Sequence, residues 1–274
     1  RDFFEQEYRL DHHIHSYSKP LVCVADGICM GGGIGLFAGA DFRVVTEKSL
    51  FAMPEVTIGL YPDVGASWFL SRMPGRLGLW LGLTGARFNG ADALGLGLAD
   101  HAMASRERAE LPARLAALDW ADQGDPREQI DRLLGGLHAE AGEQLPAPVI
   151  LPHQARIHAL LAGRTLQGVL DRLDRAELDE PDLARARDTC RTGSPISRAI
   201  LWRQYWTARR QSLAEVFADE LALSVNCVLK GDFVEGVRAL LIDKDKSPRW
   251  QPPRHGADWL DDFYRWPEGT NPLA

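Results

Sequence analysis

The hydrophobic pattern divides the chain into an α/β half and a helical half. A β-type apolar run at residues 21–25 leads into three consecutive glycines, and apolar residues at helical spacing follow over 33–40. Residues 42–46 form a second β-type run. A strand, a tight turn, a helix and a strand in so short a stretch predict an α/β unit with parallel strands.

Helical spacing recurs through most of the remaining sequence. An opening helix is predicted up to a break at Pro20, and a short strand is predicted at residues 97–99. Proline, glycine and alternating charge over residues 122–152 are typical of a flexible connection with short helices. Further helices are predicted over residues 77–83, 107–118, 160–178, 183–190, 196–207, 212–229 and 232–241. We therefore expect a core over 1–120, a helical connection over 121–195 and a C-terminal helical region over 196–274.

Composition and charge exclude several classes of protein. The chain has 274 residues, 45% of them hydrophobic, which is enough for a substantial core. Its net charge of −7 gives no basic surplus for nucleic acid, and no apolar run reaches the length of a membrane-spanning helix. The four cysteines lack the spacing of a metal site, so we expect reduced core thiols. Because the chain begins inside a helical pattern without Met, we expect further residues before Arg1.

The three glycines, Gly31, Gly32 and Gly33, mark the stretch around which the first half is organised. Glycines in a row disfavour a helix interior, so we place them at the turn where a helix begins. Unpaired N–H groups at that end suit developing negative charge, which makes the Gly32 N–H a candidate for half of an oxyanion hole. The alternative, that the glycines only allow close packing of a strand on a helix, stays open at this point.

Two acids follow at turns among apolar residues. Glu55 comes directly after Pro54, and Asp63 lies in a Tyr-Pro-Asp turn before the next helix. Such settings favour acids that face a pocket, but each acid has a structural alternative. Asp63 could be the N-cap of the following helix, and Glu55 could be an exposed charge.

Two long strings carry a resemblance to a known family. DGICMGGGIGLFAGADFRVVTEKSLFAMPEVTIGLYPDVGASWFL (26–70) resembles the central signature of the crotonase superfamily, also called the enoyl-CoA hydratase/isomerase family. GDFVEGVRALLIDKDKSPRW (231–250) is similar to the C-terminal signature of its 3-hydroxyisobutyryl-CoA hydrolase branch. The resemblance implies an α/β fold, a crotonase-like spiral of β-β-α turns of which residues 1–120 are a part, with C-terminal helices covering an acyl pocket.

The resemblance also implies a site. Two backbone amides would hold the thioester oxygen of the substrate. Gly32 matches one of them with Gly31 beside it, and the other amide belongs to a loop that precedes Arg1. Hydratases of the family use two glutamates, of which the first corresponds to Gly35 and the second to Glu55. Asp63 matches the acid that the hydrolase branch adds.

Three functional hypotheses follow. The first is an acyl-CoA thioesterase that converts 3-hydroxyisobutyryl-CoA to 3-hydroxyisobutyrate and CoA in valine breakdown, with Glu55 as nucleophile or general base and Asp63 orienting water or the substrate hydroxyl. The second is a hydratase or isomerase on the same fold, and the third is a catalytically silent assembly subunit. The expected partner is an acyl-CoA substrate, with no separate cofactor, metal, nucleic acid or membrane, and a homo-oligomer is left open. The expected location is the cytoplasm, or the mitochondrial matrix in a eukaryote.

Overall fold

The computed structural model describes residues 1–120, 124–252, 258–267 and 269–274. The first residues of the predicted connection, 121–123, and residues 253–257 and 268 of the C-terminal region lie outside the described residues. The described α-helices are α1 (Asp2–His15), α2 (Gly32–Ala38), α3 (Ala66–Arg72), α4 (Leu77–Thr84), α5 (Gly90–Gly95), α6 (Leu111–Ala116), α7 (Pro126–Ala141), α8 (Gln154–Leu160), α9 (Leu166–Arg175), α10 (Pro181–Thr192), α11 (Pro195–Thr207), α12 (Leu213–Lys230), α13 (Phe233–Val237) and α14 (Asp258–Tyr264).

Two small sheets form the β part of the described fold. The strands are β1 (Val22–Ala25), β2 (Ile28–Met30), β3 (Phe42–Val45), β4 (Leu50–Ala52), β5 (Phe88–Asn89) and β6 (His101–Ala102). One sheet has the order β1-β3-β6 with parallel pairs, and the other has the order β2-β4-β5, in which β2 and β4 are parallel and β4 and β5 antiparallel. The predicted parallel unit is thus confirmed by the pairing of β1 with β3 across α2.

Three parts of the predicted secondary structure are wrong or incomplete. Residues 97–99 are a turn and not a strand, because the amides of Leu98 and Ala99 bond back to Ala93 of α5. The predicted helix over 160–178 is broken where Gly163 takes a φ of +118°, and Thr165 then caps α9. Strand β2 was not predicted, because it lies in the short segment between two glycine turns.

The predicted flexible connection contains a regular sixteen-residue helix, α7. Asp125 caps its start by accepting a hydrogen bond from the Arg127 N–H, and a proline occupies the first turn. Its buried face, Ile130, Leu134 and Leu137, packs in a separate cluster with residues of β3. The apolar spacing, rather than the proline and glycine content, therefore decided the local structure.

The opening helix α1 buries a different face from the one its apolar residues suggest. Phe3 and Leu10 are exposed, whereas Phe4, Tyr8 and Asp11 are buried at helical spacing. This face contacts α2 and α12, so an acid lies within the interior of the fold.

Helix α13 packs directly on the turn that follows Glu55. A Cβ on Gly59 would lie 2.4 Å from the Asp232 backbone, and one on Gly236 would lie 2.1 Å from the Ile58 carbonyl oxygen. Both positions therefore need glycine for two backbones to touch. This contact places the second signature string against the turn that carries Glu55.

Helix α12 begins as the sequence predicts. Ser212 accepts a hydrogen bond from the Glu215 N–H while the Glu215 carboxylate accepts from the Ser212 N–H, which is a complete capping box. The four cysteines are free thiols. No described helix is long and apolar enough to cross a membrane.

Candidate active site

The glycine turn after β2 presents a backbone amide that makes no hydrogen bond within the described residues. Gly31 has a φ of +52°, which suits glycine, and its N–H donates to the Ala52 carbonyl oxygen at 3.3 Å. Helix α2 begins at Gly32, and no hydrogen bond within the described part of the chain engages the Gly32 N–H. An unpaired amide at a helix start is a suitable donor to an oxyanion.

Glu55 lies against this turn. Its Oε1 is 3.0 Å from the point where a Cβ on Gly31 would stand, so a side chain at that position would crowd the carboxylate. The side chain is 5% exposed, and its Oε2 has no hydrogen-bond partner among the described residues. The alternative of an exposed charge after Pro54 is therefore wrong. Burial, with repulsion from Asp63, raises the pKa of Glu55 well above its ordinary value.

Asp63 is the second buried acid of the site. It is 5% exposed, and its Oδ2 accepts a hydrogen bond from the Tyr8 hydroxyl at 2.6 Å. Helix α3 has Gly65 as its N-cap residue and no side-chain cap, so the N-cap alternative for Asp63 is wrong. Burial raises the pKa of Asp63 to about 7, with Glu7 adding to the rise and the Tyr8 hydrogen bond opposing it. Burial is the largest cause of the shift for both acids, and repulsion between them adds to the rise at Glu55.

A network of buried hydroxyl groups holds the Asp63 side chain in place. Tyr8 lies 2.6 Å from the Ser224 Oγ of α12, which lies 3.0 Å from the Tyr61 hydroxyl. Tyr61 donates to the carbonyl oxygen of Glu220 at 2.8 Å. Three elements that are far apart in sequence are thereby joined, so the Asp63 side chain has a fixed orientation.

The loop that carries Asp63 is held by an acid from the C-terminal region. The Glu220 carboxylate accepts hydrogen bonds from the Gly65 N–H at 2.7 Å and the Ser67 N–H at 3.1 Å, at the start of α3. The loop needs this support because Val64 adopts a φ of +55°, an unfavourable conformation for a β-branched residue. Burial raises the pKa of Glu220 to about 8, although these hydrogen bonds oppose the rise.

Sequence reasoning missed two further acids of the site, Glu7 and Asp11 on α1. The Oε1 of Glu7 is 2.8 Å from the point where a Cβ on Gly32 would stand, which places it beside the Gly32 amide. The available signal was the position of Asp11 on the same helix face as Phe4 and Tyr8, where an apolar residue is the norm. Within the described residues, no group of three or more acids, histidines and cysteines is arranged to hold a metal ion.

Gly35 leaves no room for a side chain. A Cβ there would lie 2.6 Å from the Cβ of Val64 and 3.1 Å from Oδ2 of Asp11. We expect Gly35→Ala to lower the free energy of unfolding by about 1–3 kcal/mol because of overpacking, as measured by urea denaturation. Gly33→Ala is the matched control, since its Cβ would meet only the Cys29 Sγ at an ordinary 3.5 Å. Equal stability of the two variants would contradict the packing described here.

The buried acids also predict how stability depends on pH. The folded state holds protons on Asp11 and Glu220 up to about pH 8 and on Asp63 up to about pH 7, whereas the unfolded chain releases them near pH 4. Between these values the folded state binds more protons than the unfolded state. Stability is therefore greatest below the unfolded pKa and falls as the pH rises, by up to about 1.4 kcal/mol per pH unit for each group.

Urea denaturation from pH 5.5 to pH 8 measures this slope. Glu220→Gln removes one of the titrating groups, so its slope should be shallower than that of the unaltered chain. A free energy of unfolding that rises over this range would contradict the pKa shifts.

A cleft adjoins the glycine turn and the Glu55 turn. Its volume is about 610 Å³, and it lies between the ends of β2 and β4, the segment after α4, and α10. Its lining includes Met30 and Pro54, the neighbours in sequence of Gly31 and Glu55. The charged residues of the lining are Arg87, Arg185 and Asp182, of which the last two form an ion pair. The cleft thus reaches the turn that carries Glu55 through Pro54 and Thr57, whereas Asp63 is not among its lining residues.

The sequence of the chain is similar to those of known proteins. A family profile described as "Enoyl-CoA hydratase/isomerase" matches residues 1–258. The chain is 39% identical over 277 residues to a protein of Gallus gallus named "3-hydroxyisobutyryl-CoA hydrolase, mitochondrial", covering 100% of the chain and 70% of the relative. It is 40% identical over 252 residues to the Homo sapiens protein of the same name, covering 91% of the chain and 64% of that relative.

The fold of the chain is similar to that of a solved structure. A carnitinyl-CoA dehydratase from Mycobacterium thermoresistibile superposes with a TM-score of 0.82 at 33% identity, covering 99% of the chain and 74% of that protein. The predicted crotonase-like α/β fold with its helical C-terminal region is confirmed. The chain belongs to the enoyl-CoA hydratase/isomerase family.

Proposed function

We propose that the protein hydrolyses an acyl-CoA thioester and that its substrate is 3-hydroxyisobutyryl-CoA. The observation that carries this proposal is the arrangement around the glycine turn. Glu55 is buried against Gly31 and is close enough to the buried Asp63 for the two acids to interact, whereas Gly35 provides no carboxylate and its side-chain space is filled. The names of the Gallus gallus and Homo sapiens relatives support the choice of hydrolysis and of this acyl group.

The chemistry requires a polarised carbonyl, an attacking oxygen and a protonated leaving thiol. The Gly32 N–H accounts for one donor to the carbonyl oxygen, where such a donor is worth about 3–4 kcal/mol in the transition state. Water adds its oxygen to the carbonyl carbon, the C–S bond breaks, and one proton of the water passes to the CoA sulfur.

Glu55 drives the attack by one of two routes. As a nucleophile it forms a mixed anhydride that water then cleaves, and as a general base it takes the proton of the attacking water. Both routes need an ionised Glu55, so activity should increase with pH as this buried acid loses its proton. Asp63, fixed by Tyr8, orients the water or the substrate hydroxyl.

The cleft beside the site suits the remainder of the substrate. Its volume of about 610 Å³ admits an extended acyl-pantetheine chain, and Arg87 supplies positive charge for CoA phosphates, whereas Arg185 is paired with Asp182 of the same cleft at 3.2 Å. CoA is part of the substrate, so no separate cofactor is invoked. We assign the reaction to valine breakdown, in the mitochondrial matrix of a eukaryote or the cytoplasm of a bacterium.

A hydratase is the second candidate, because the family description and the dehydratase from Mycobacterium thermoresistibile favour it. The two functions differ in product. A thiol assay with 3-hydroxyisobutyryl-CoA should show release of one free CoA per acyl group, while the absorbance of crotonyl-CoA stays constant. Consumption of crotonyl-CoA without thiol release would replace the hydrolase with a hydratase. A protein inert toward both substrates would support the third hypothesis of a silent assembly subunit.

A further inference from the structure

Helices α1 and α2 meet along a line where acids face glycines. Glu7 of α1 lies over Gly32, and one turn later Asp11 lies over Gly35, at 2.8 Å and 3.1 Å from the points where Cβ atoms would stand. Residues four apart on α1 and three apart on α2 lie on one face of each helix. The glycines thus make room for two carboxyl groups between the helices.

Asp11 is a buried acid whose carboxyl oxygens are unpaired within the described residues. Its side chain is fully buried, with an exposure of 0%, and neither carboxyl oxygen has a hydrogen-bond partner among the described residues. Leaving a buried polar group unpaired is costly, and such a group is usually satisfied by a ligand or a bound hydroxyl.

The surroundings of Asp11 set its charge. Glu7 on the same helix and Asp63 on the loop after Leu60 are the acids that act on it, and α2 carries no titratable residue. Together with burial they raise the pKa of Asp11 to about 8. At neutral pH the group is a neutral carboxylic acid, which has one donor and free acceptor capacity.

We propose that Asp11 is a further binding residue of the active site, and that its carboxylic acid takes up a hydroxyl group in the niche formed with Glu7 and Asp63. A hydroxyl fits because it accepts from the acid and donates to a neighbouring carboxylate. The hydroxyl belongs either to the substrate, as its 3-hydroxyl, or to the attacking water. This inference rests on the proposed hydrolase function.

Two substitutions separate binding from packing. Asp11→Leu keeps the branched shape of the side chain, with a larger volume and no hydrogen-bonding atoms, and we expect kcat/KM for 3-hydroxyisobutyryl-CoA to fall by about tenfold or more. Asp11→Asn restores a neutral donor and acceptor, so its activity at pH 7 should return to within about threefold of the unaltered protein. Asp2→Asn, an exposed change on the same helix, is the control and should alter nothing.

The pH dependence of activity distinguishes binding by Asp11 from an effect on packing, because a change in packing would not remove a fall in activity at alkaline pH. Above about pH 8 the unaltered protein should lose activity as Asp11 ionises next to Glu7 and Asp63, whereas Asp11→Asn should lack this fall. An unchanged alkaline limb in Asp11→Asn, together with full activity in Asp11→Leu, would overturn the proposal.

The source of the hydroxyl is decided with isobutyryl-CoA, which lacks it. If Asp11 binds the substrate hydroxyl, Asp11→Leu should raise KM for 3-hydroxyisobutyryl-CoA and leave isobutyryl-CoA unaffected. If Asp11 binds the attacking water, kcat should fall equally for both substrates.

Infrared spectroscopy detects the carboxylic acid of Asp11 directly, so this test does not depend on enzyme turnover. The Asp11 component of the carboxylic-acid band, taken as the difference between the unaltered protein and Asp11→Asn because Glu55 and Glu220 absorb in both, should be present at pH 7 and should shift when the non-hydrolysable thioether analogue of 3-hydroxyisobutyryl-CoA binds. A shift in a protein that cleaves no thioester would reject the proposed function and retain this site. Thioester cleavage with no Asp11 band would reject the site alone.

Discussion

Glu55→Gln should reduce kcat for 3-hydroxyisobutyryl-CoA by about 10²–10⁴-fold, because glutamine can act neither as a nucleophile nor as a base. KM should change little, since we propose the cleft beside Pro54, and not Glu55 itself, as the place of the CoA portion. The fold should survive, because Glu55 has an unpaired buried oxygen and the substitution is isosteric. Steady-state thiol release measures both constants.

The matched control is Glu128→Gln, an exposed glutamate in the first turn of α7. It should retain full activity. If Glu55→Gln also turns over at the unaltered rate while its melting temperature is unchanged, Glu55 has no part in the reaction.

The second large effect is expected at Asp63. Asp63→Asn should lower kcat by about 10²-fold or more, because the neutral amide no longer provides the carboxylate that orients water or the substrate hydroxyl. Asparagine still accepts the Tyr8 hydrogen bond, so the loop should keep its conformation. Single-turnover hydrolysis of labelled substrate isolates this step from product release.

Tyr8→Phe provides the comparison for that experiment. It removes the hydrogen bond but leaves the carboxylate, so its loss of kcat should be smaller than that of Asp63→Asn. Because the Tyr8 hydrogen bond lowers the pKa of Asp63, the variant should also shift the acid limb of the pH profile to higher pH. A larger loss in Tyr8→Phe would mean that the hydroxyl, rather than Asp63, does the work assigned to the acid.

The glycine turn and the two acids could be predicted because their local chemistry is unusual. Three glycines at a helix start and two acids at turns among apolar residues pointed to a pocket, although each also had a structural alternative. The structure places Gly31 and Glu55 in contact and buries Asp63 nearby. Local sequence gave no measure of these distances, so proximity came from the family resemblance and not from spacing.

The rest of the site depends on contacts between distant segments. Ser224 and Glu220 lie more than 150 residues beyond Asp63, and each bond they make is set by the docking of α12 on α1 and α3. Asp11 was hidden because its helix was read from its apolar residues, of which Phe3 and Leu10 proved exposed. The buried face includes an acid, which the hydrophobic pattern alone assigns to solvent.

A crystal structure of the Glu55→Gln variant with 3-hydroxyisobutyryl-CoA tests the central claim most directly. The account predicts the thioester oxygen at about 3 Å from the Gly32 nitrogen, with the acyl carbon facing residue 55 and the 3-hydroxyl near Asp63. A thioester bound elsewhere, with its oxygen remote from the start of α2, would contradict it.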